Sequence, residues 1–186
     1  MTKFLLLLGP SGVGKSTIIK ELRQMDKRFI YISPYITRPL RENETDKVHI
    51  SDQEMDLREA NGEFLIINNL YGIRYATPIE PITKALEDNL FPVLDWPISR
   101  MEIMTNSFSG QLYTVYVCPP SWEELQERMA RDQRNKNTDR LKAARKEFNE
   151  FQTGGYEGLF DFQIISYNFR ISEIAKSIYL NYLQNI

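Results

Sequence analysis

The residues Gly9-Pro10-Ser11-Gly12-Val13-Gly14-Lys15-Ser16 match the phosphate-binding P-loop spacing G-x-x-x-x-G-K-[ST], and each fixed position has a task around phosphate. Glycines let successive backbone amides turn inward on phosphate oxygens. The helix that follows adds the partial positive charge of its N-terminus, and the Lys15 ammonium reaches the outer phosphates of a nucleoside triphosphate. Ser16 then stands where a hydroxyl can ligate Mg²⁺, with Thr17 beside it at the helix start. Asp95 closes the apolar run Phe91-Pro92-Val93-Leu94, so a carboxylate lies at the carboxyl edge of a strand, where parallel sheets bind ligands. It can serve the Mg²⁺ shell or a second substrate; the plainer alternative is capping of the Trp96-Pro97 turn.

Basic side chains form two further groups. Between Arg128 and Lys146 eight of them (Arg128, Arg131, Arg134, Lys136, Arg140, Lys142, Arg145, Lys146) face two acidic ones (Asp132, Asp139), a local charge of +6 in a chain whose net charge is −2. A basic flap beside a P-loop suits phosphoryl transfer, in which arginines neutralise the transferring group. The solvated-face reading is expected for Lys136, Lys142 and Lys146, and the functional one for two or three arginines. Arg38 and Arg41 lie three apart in Tyr35-Ile36-Thr37-Arg38-Pro39-Leu40-Arg41, a loop that Pro39 keeps out of helix, and two forked donors there can grip a second phosphate. Cys118 reads as a core thiol, Met101 and Met104 as packing, and Trp122 as packing at a helix start. His49 reads as a core or turn residue ahead of a catalytic one.

These groups need a scaffold, and the hydrophobic pattern supplies one. Lys3 to Leu8 reads as a strand buried on both faces, then comes the glycine loop and a helix from Ser16 to Gln24 with Ile18, Ile19 and Leu22 on one side. Phe29 to Ser33 is the next strand. From Pro34 to about Thr77 the texture turns polar, with a short helix near Ser51 to Ala60 and small strands near Phe64 to Ile67 and Ile73 to Ala76, the pattern of an inserted lobe. Beyond Thr77, a candidate cap for a helix from Pro78 to about Asn89, strand and helix alternate: strand 91–95, helix 98–106, strand 111–118, helix to about Arg131, a polar stretch 132–138, helix to about Thr153, strand 162–166 and helix 171–183. Ser121-Trp122-Glu123-Glu124 has capping-box spacing, and Gly154-Gly155 supplies a stop. Alternation of this kind implies a three-layer α/β/α fold around a parallel sheet.

Composition narrows the classes. At 186 residues, 42% hydrophobic and 26% charged, the chain fits one folded domain, 1–186, with no repeat or linker to divide it. A net charge of −2 gives no global field for nucleic acid, and the basic stretch lacks interleaved aromatics. One cysteine and one histidine exclude Cys- and His-rich metal clusters and fit a reducing, cytoplasmic setting. The apolar start, Phe4 to Leu8, is too short for a secretory core or a membrane span. A switch GTPase is disfavoured as well: no glycine follows an Asp by three residues, and Asn135-Lys136-Asn137-Thr138 has Thr where a base-reading Asp would stand.

Over nearly its whole length the chain resembles the guanylate kinase family. The resemblance rests on GPSGVGKST, on Thr37-Arg38 with Arg41, on Arg74-Tyr75-Ala76-Thr77-Pro78, on Val93-Leu94-Asp95, and on Arg140-Leu141 followed by Ala143-Ala144, all in family order. It implies a P-loop NTPase fold with a five-stranded parallel sheet, core 1–33 and 78–186, an acceptor-binding lobe at about 34–77 and a helical lid at about 128–140. It implies ATP with Mg²⁺ on Ser11, Gly12, Val13, Gly14, Lys15, Ser16 and Thr17, with Ser16 and Asp95 toward the metal. Arg38, Arg41 and Tyr75 would hold the acceptor phosphate and Thr77 would lie near the base. Lys15, Arg128 and Arg140, with Arg131 or Arg134 as a second lid arginine, would act on the transferring phosphates. The implied activity is transfer of the ATP γ-phosphate to a small phosphorylated acceptor, GMP or a related nucleotide, by a monomer or homodimer that needs neither nucleic acid nor membrane.

Departures fall where guanine would be read. Pro34 stands for the family's Ser, Ile66 for its base-reading Glu, and Lys47 or Val48 for a phosphate-binding Tyr. Ile66 offers no acceptor to the guanine N1 and N2 hydrogens, a loss worth about 1 to 3 kcal/mol if that donor goes unpaired. Tyr35-Ile36-Thr37-Arg38, His49 before Ile50, and Ser99-Arg100 also look like motifs of ribose 1,5-bisphosphate phosphokinase, which would give His49 and Arg100 roles on the sugar or its phosphate. Arg41 and Thr77-Pro78-Ile79-Glu80-Pro81 look more like guanylate kinase. A third reading, a guanylate-kinase-like scaffold that binds without catalysis, goes with eroded P-loops, and here Lys15, Ser16 and the lid arginines are intact.

Overall fold

Strand and helix alternate as β1 (Phe4–Leu8), α1 (Lys15–Met25), β2 (Phe29–Tyr31), β3 (Tyr35–Ile36), β4 (Val48–His49), α2 (Asp52–Ala60), β5 (Phe64–Leu70), β6 (Ile73–Pro78), α3 (Glu80–Glu87), β7 (Phe91–Asp95), a 3₁₀ turn (Ile98–Arg100), α4 (Met101–Ser107), β8 (Leu112–Cys118), α5 (Trp122–Arg131), α6 (Thr138–Gln152), β9 (Phe162–Ile165) and α7 (Ile171–Gln184). The structure, a computed structural model, describes residues 2–42, 44–70, 72–131, 138–168 and 170–186. Arg134 and Lys136 therefore lie outside the described residues.

The main sheet has five parallel strands in the order β2-β7-β1-β8-β9. β1 is its centre, and every one of its side chains is buried, which is why it reads as an unbroken apolar run. Leu5 and Leu7 face a core shared with Ile18, Leu22, Leu125, Ile174 and Ile178, from α1, α5 and α7. Phe4, Leu6 and Leu8 face the opposite core with Ile82, Met104 and Phe108, from α3, α4 and the turn after it. Two apolar faces covered by helices make the three layers expected. Because β7 and β8 flank β1 on opposite sides, the chain reverses direction across the sheet at β1, and a crevice opens at the carboxyl ends of these three strands.

A second sheet, β4-β3-β6-β5, with α2 packed on it, makes the inserted lobe. β5 pairs antiparallel with β6 and extends to Leu70, three residues past its expected end. β3 and β4 have two residues each, too short to show a period, and went unseen in the sequence. Ser51 caps α2 by accepting from the Glu54 amide at 3.1 Å.

Three local expectations need correction. Thr77 does not cap a helix: it is buried within β6 opposite Ile66, and α3 starts after Ile79 without a side-chain cap. Ser121 accepts from the Glu124 amide at 3.2 Å, but the Glu124 carboxylate does not reach back; it accepts from Asn168 at 3.0 Å and Arg128 at 3.5 Å instead. His49 is neither core nor turn. It is exposed on β4, the edge strand of the lobe.

The packing readings hold. Met104 is fully buried, Met101 partly, and Trp122 lies against the core with the Arg145 guanidinium 4.6 Å from its ring. Cys118 is buried, and burial pushes its thiol up to about 12. The buried Tyr116 ring on β8 is stacked between Phe151 of α6 and Phe160, each at 4.7 Å, fastening the far end of α6 to the sheet. Among the described residues no helix is long and apolar enough to cross a membrane.

Candidate active site

The loop from Gly9 to Gly14 turns at the carboxyl end of β1. Gly9 has φ +127°, and a Cβ there would stand 2.4 Å from the Val117 carbonyl oxygen on β8, so only glycine lets the chain leave the strand so close to its neighbour. Gly14, at φ +104°, caps α1 without a side chain. The first-turn amides of α1, Lys15 and Ser16, have no preceding carbonyl to bind, and they join the positive end of an 11-residue helix. Ser16 and Thr17 are exposed there, their hydroxyls open to a ligand.

Lys15 folds over this loop. Its Nζ donates to the Gly9 carbonyl and to the Pro10 carbonyl at 3.1 Å. Burial pulls its pKa down, while the carboxylates of Asp95 and Glu147 work the other way and Arg140 adds to the lowering. Asp95 is half-buried at the end of β7, beside Leu7 in the sheet register, and accepts a hydrogen bond from the Tyr31 hydroxyl at 3.3 Å. Burial, then Asp95, raises the Tyr31 pKa, so that phenol stays a neutral donor. Glu147 on α6 is raised by burial and lowered in turn by Lys15, and accepts from the Tyr116 hydroxyl at 3.4 Å.

Two of the basic-stretch arginines meet the loop, in different ways. Arg140 Nε donates to Ser11 Oγ at 2.6 Å. Arg128 is woven into the segment after β9: Nη2 donates to the Ser166 carbonyl at 2.6 Å, Nε to Asn168 Oδ1 at 2.8 Å, and Nη1 to the Val13 carbonyl at 3.5 Å. Ser166 Oγ, itself buried, donates to that same Val13 carbonyl at 2.8 Å. Arg128 thus sits behind the P-loop as a brace. Arg131 turns away, 74% exposed and paired with Glu127 at 3.3 Å.

The lobe gathers a second cationic cluster. Arg38 forms a two-pronged pair with Glu44, Nη1 to Oε2 and Nη2 to Oε1 at 2.7 Å each, and Nη1 also donates to the Pro39 carbonyl at 2.8 Å. The Tyr75 hydroxyl is close enough to favour the charged guanidinium, after Glu44 itself. Arg38 and Tyr75 are therefore brought together. Arg41 has an exposed side chain and contributes its amide to Glu44 at 3.0 Å. His49 and Arg100 are exposed, on the lobe's edge strand and at the start of α4. The sequence reading missed Glu44, Tyr31 and Glu147, and named Lys47 only as standing, with Val48 as the alternative, where the family has a phosphate-binding Tyr. Tyr31 and Glu147 have their partners on other elements, whereas Glu44 and Lys47 pair within one loop, where the place of Glu44 three residues past Arg41 was a signal.

A P-loop at the carboxyl edge of a five-stranded parallel sheet, facing an arginine-bearing lobe, defines a P-loop phosphotransferase. The comparisons make this specific. The guanylate kinase family pattern matches residues 1–177, and the chain belongs to that family. A guanylate kinase from Thermobifida fusca is 36% identical over 157 residues, 77% of this chain and 79% of that protein. One from Sulfurimonas denitrificans is 28% identical over 180 residues, covering 94% and 84%. The solved structure of guanylate kinase from Anaplasma phagocytophilum superposes with a TM-score of 0.75 over 99% of this chain and 86% of its own, at 21% identity, a likeness of fold. The chain is a P-loop kinase with the fold expected from its sequence.

Proposed function

We propose that this kinase transfers the γ-phosphate of ATP to the phosphate of a small acceptor, GMP or a related nucleoside monophosphate, in a reducing cytoplasm. The observation that carries the reading is the pair of separate phosphate-type sites: Lys15 and Arg140 on the P-loop, and Arg38 with Tyr75 on the inserted lobe. One suits a triphosphate, the other a monophosphate.

The donor site fits Mg²⁺ as kinases use it, with substrate phosphates supplying most of the oxygens and the exposed Ser16 hydroxyl and the Asp95 carboxylate supporting; the ion would neutralise charge on the β- and γ-phosphates. Lys15 would exchange its two loop carbonyls for phosphate oxygens, and the incoming negative charge would favour its ammonium form. Arg140 would place its guanidinium over the transferring group while still near Ser11. Arg38 and Tyr75, with Arg41, would orient the acceptor phosphate in line. An acceptor phosphate oxygen is already a competent nucleophile, so positioning and charge neutralisation suffice without a strong general base.

Ile66 sits on β5 opposite Thr77, partly buried against the core, so base recognition in this chain would rest on shape and on Thr77. The test is ATP-to-ADP conversion against GMP, dGMP, AMP, UMP, dTMP and ribose 1,5-bisphosphate, with Lys15→Ala as control. Preference for GMP is the expected result. Turnover on ribose 1,5-bisphosphate alone would replace it, and none on any acceptor would favour the scaffold.

A further inference from the structure

Glu44 is held from three sides. Besides Arg38 and the Arg41 amide, Lys47 places its Nζ 3.4 Å from Oε1, the same oxygen that Arg38 Nη2 contacts at 2.7 Å. The two cationic nitrogens therefore lie within about 6 Å of one another, the legs being 2.7 and 3.4 Å. Two oxygens of one phosphate group span such a gap. Both cations are well covered, with 14% of the Arg38 side chain and 20% of Lys47 exposed, so neither is a freely solvated surface charge.

A donor at this cluster is also left over. Arg38 spends its two terminal nitrogens on Glu44, and its Nε is buried with no hydrogen-bond partner, alone in this among the buried side-chain nitrogens and oxygens of the described residues. A buried donor without a partner is destabilising unless something arrives to accept from it. Among the described residues Lys47 has one further counter-ion, Asp46 at 3.0 Å, whose 42% exposed carboxylate can give way to an incoming anion.

We infer that Lys47 is a second cation of the acceptor-phosphate site, closing with Arg38 on the monophosphate while Glu44 acts as the strut that fixes their spacing. This rests on the two-site reading proposed above. Two cationic donors converging on one oxygen suit the terminal oxygens of a phosphate monoester, which a diester or an unphosphorylated sugar does not offer in the same number. The lobe thus selects its acceptor by terminal phosphate before any base is read.

The test measures binding of GMP and, separately, of inorganic phosphate to the full chain saturated with Mg²⁺ and ADP, so that the P-loop is already filled. Lys47→Met should weaken both ligands about tenfold, the loss of one charge-assisted hydrogen bond. Lys47→Arg should stay within about threefold of the wild type. In turnover the Met variant should raise the acceptor KM with kcat and the ATP KM unchanged. Unchanged binding by Lys47→Met overturns the inference, and so does an Arg variant as weak as the Met variant, since that marks a packing role. If the wild type binds phosphate but not GMP, the base assignment fails while the clamp is judged on phosphate alone. If it binds neither, the clamp fails too.

Discussion

Arg140 Nε donates to Ser11 Oγ at 2.6 Å across 129 residues of sequence. The bond ties the first turn of α6 to the turn of the P-loop. Arg128, on the helix before it, meets the same loop from behind through the Val13 carbonyl. Two arginines of one basic stretch therefore have different work.

Their variants should separate. Arg140→Ala should lower kcat by about 10² or more, as loss of a transition-state donor does, an effect larger than any accompanying loss of stability explains. Arg128→Ala strips partners from the Ser166 carbonyl and Asn168 and should cost about 2 kcal/mol of stability, read by urea unfolding. Equal stability losses in both would mean that Arg140 is also a brace.

Lys15→Ala should reduce turnover by about 10² to 10³ while circular dichroism stays native, because among the described residues the side chain's hydrogen bonds go to carbonyls of its own loop. Full activity in a folded variant would remove the P-loop from the chemistry.

Arg38→Ala should raise the acceptor KM at least about tenfold and leave the ATP KM alone. The reverse pattern, with acceptor KM intact and ATP affinity altered, would put the acceptor elsewhere.

Gly9→Ala should be the costly glycine substitution, about 3 kcal/mol or more, since the new Cβ meets the Val117 carbonyl oxygen at 2.4 Å and the backbone sits at φ +127°. Gly110→Ala, at φ +73° with open space around it, should cost only about 1 kcal/mol. Thermal unfolding of the pair checks both numbers.

Glu44 gives a pH signature. Hydrogen bonds from Arg38, more than the Arg41 amide and Lys47, hold its carboxyl down at about 2 against an ordinary glutamate's 4.5. A depressed folded-state pKa means stability that is complete above about pH 4.5 and drains away as pH falls toward 2. The stability gap between wild type and Glu44→Gln should be full at pH 6 and shrink steadily from pH 4.5 to 2.5. A gap independent of pH would show that the carboxylate's charge is not what stabilises the loop.

Much of this was legible beforehand for a local reason. A buried central strand, a glycine loop and an amphipathic helix are written in consecutive residues, so β1, the P-loop and α1 could be read directly, as could Asp95 at the end of β7. The pairing of Arg38 with Tyr75 entered only through family resemblance. What escaped depends on partners distant in sequence. Arg128 reads as one more cation of a basic flap until Ser166 and Asn168 are placed beside it by β9. Thr77 looks like a helix cap because Pro78 follows it, yet its pairing with Ile66 keeps it in a strand. Glu44 looks like a solvated acid between basic neighbours, and its grip on Arg38 exists only because the loop folds back.

The stacking of Phe151 and Phe160 on Tyr116 has a mechanical consequence. It pins α6 near its carboxyl end, while Arg140 lies 11 residues away on the same helix, about 16 Å along its axis. Between the two, Ala144 and Leu141 of α6 pack into the core on the other side of the sheet, so the helix is held along its length and the place where Arg140 meets Ser11 is fixed rather than adjustable.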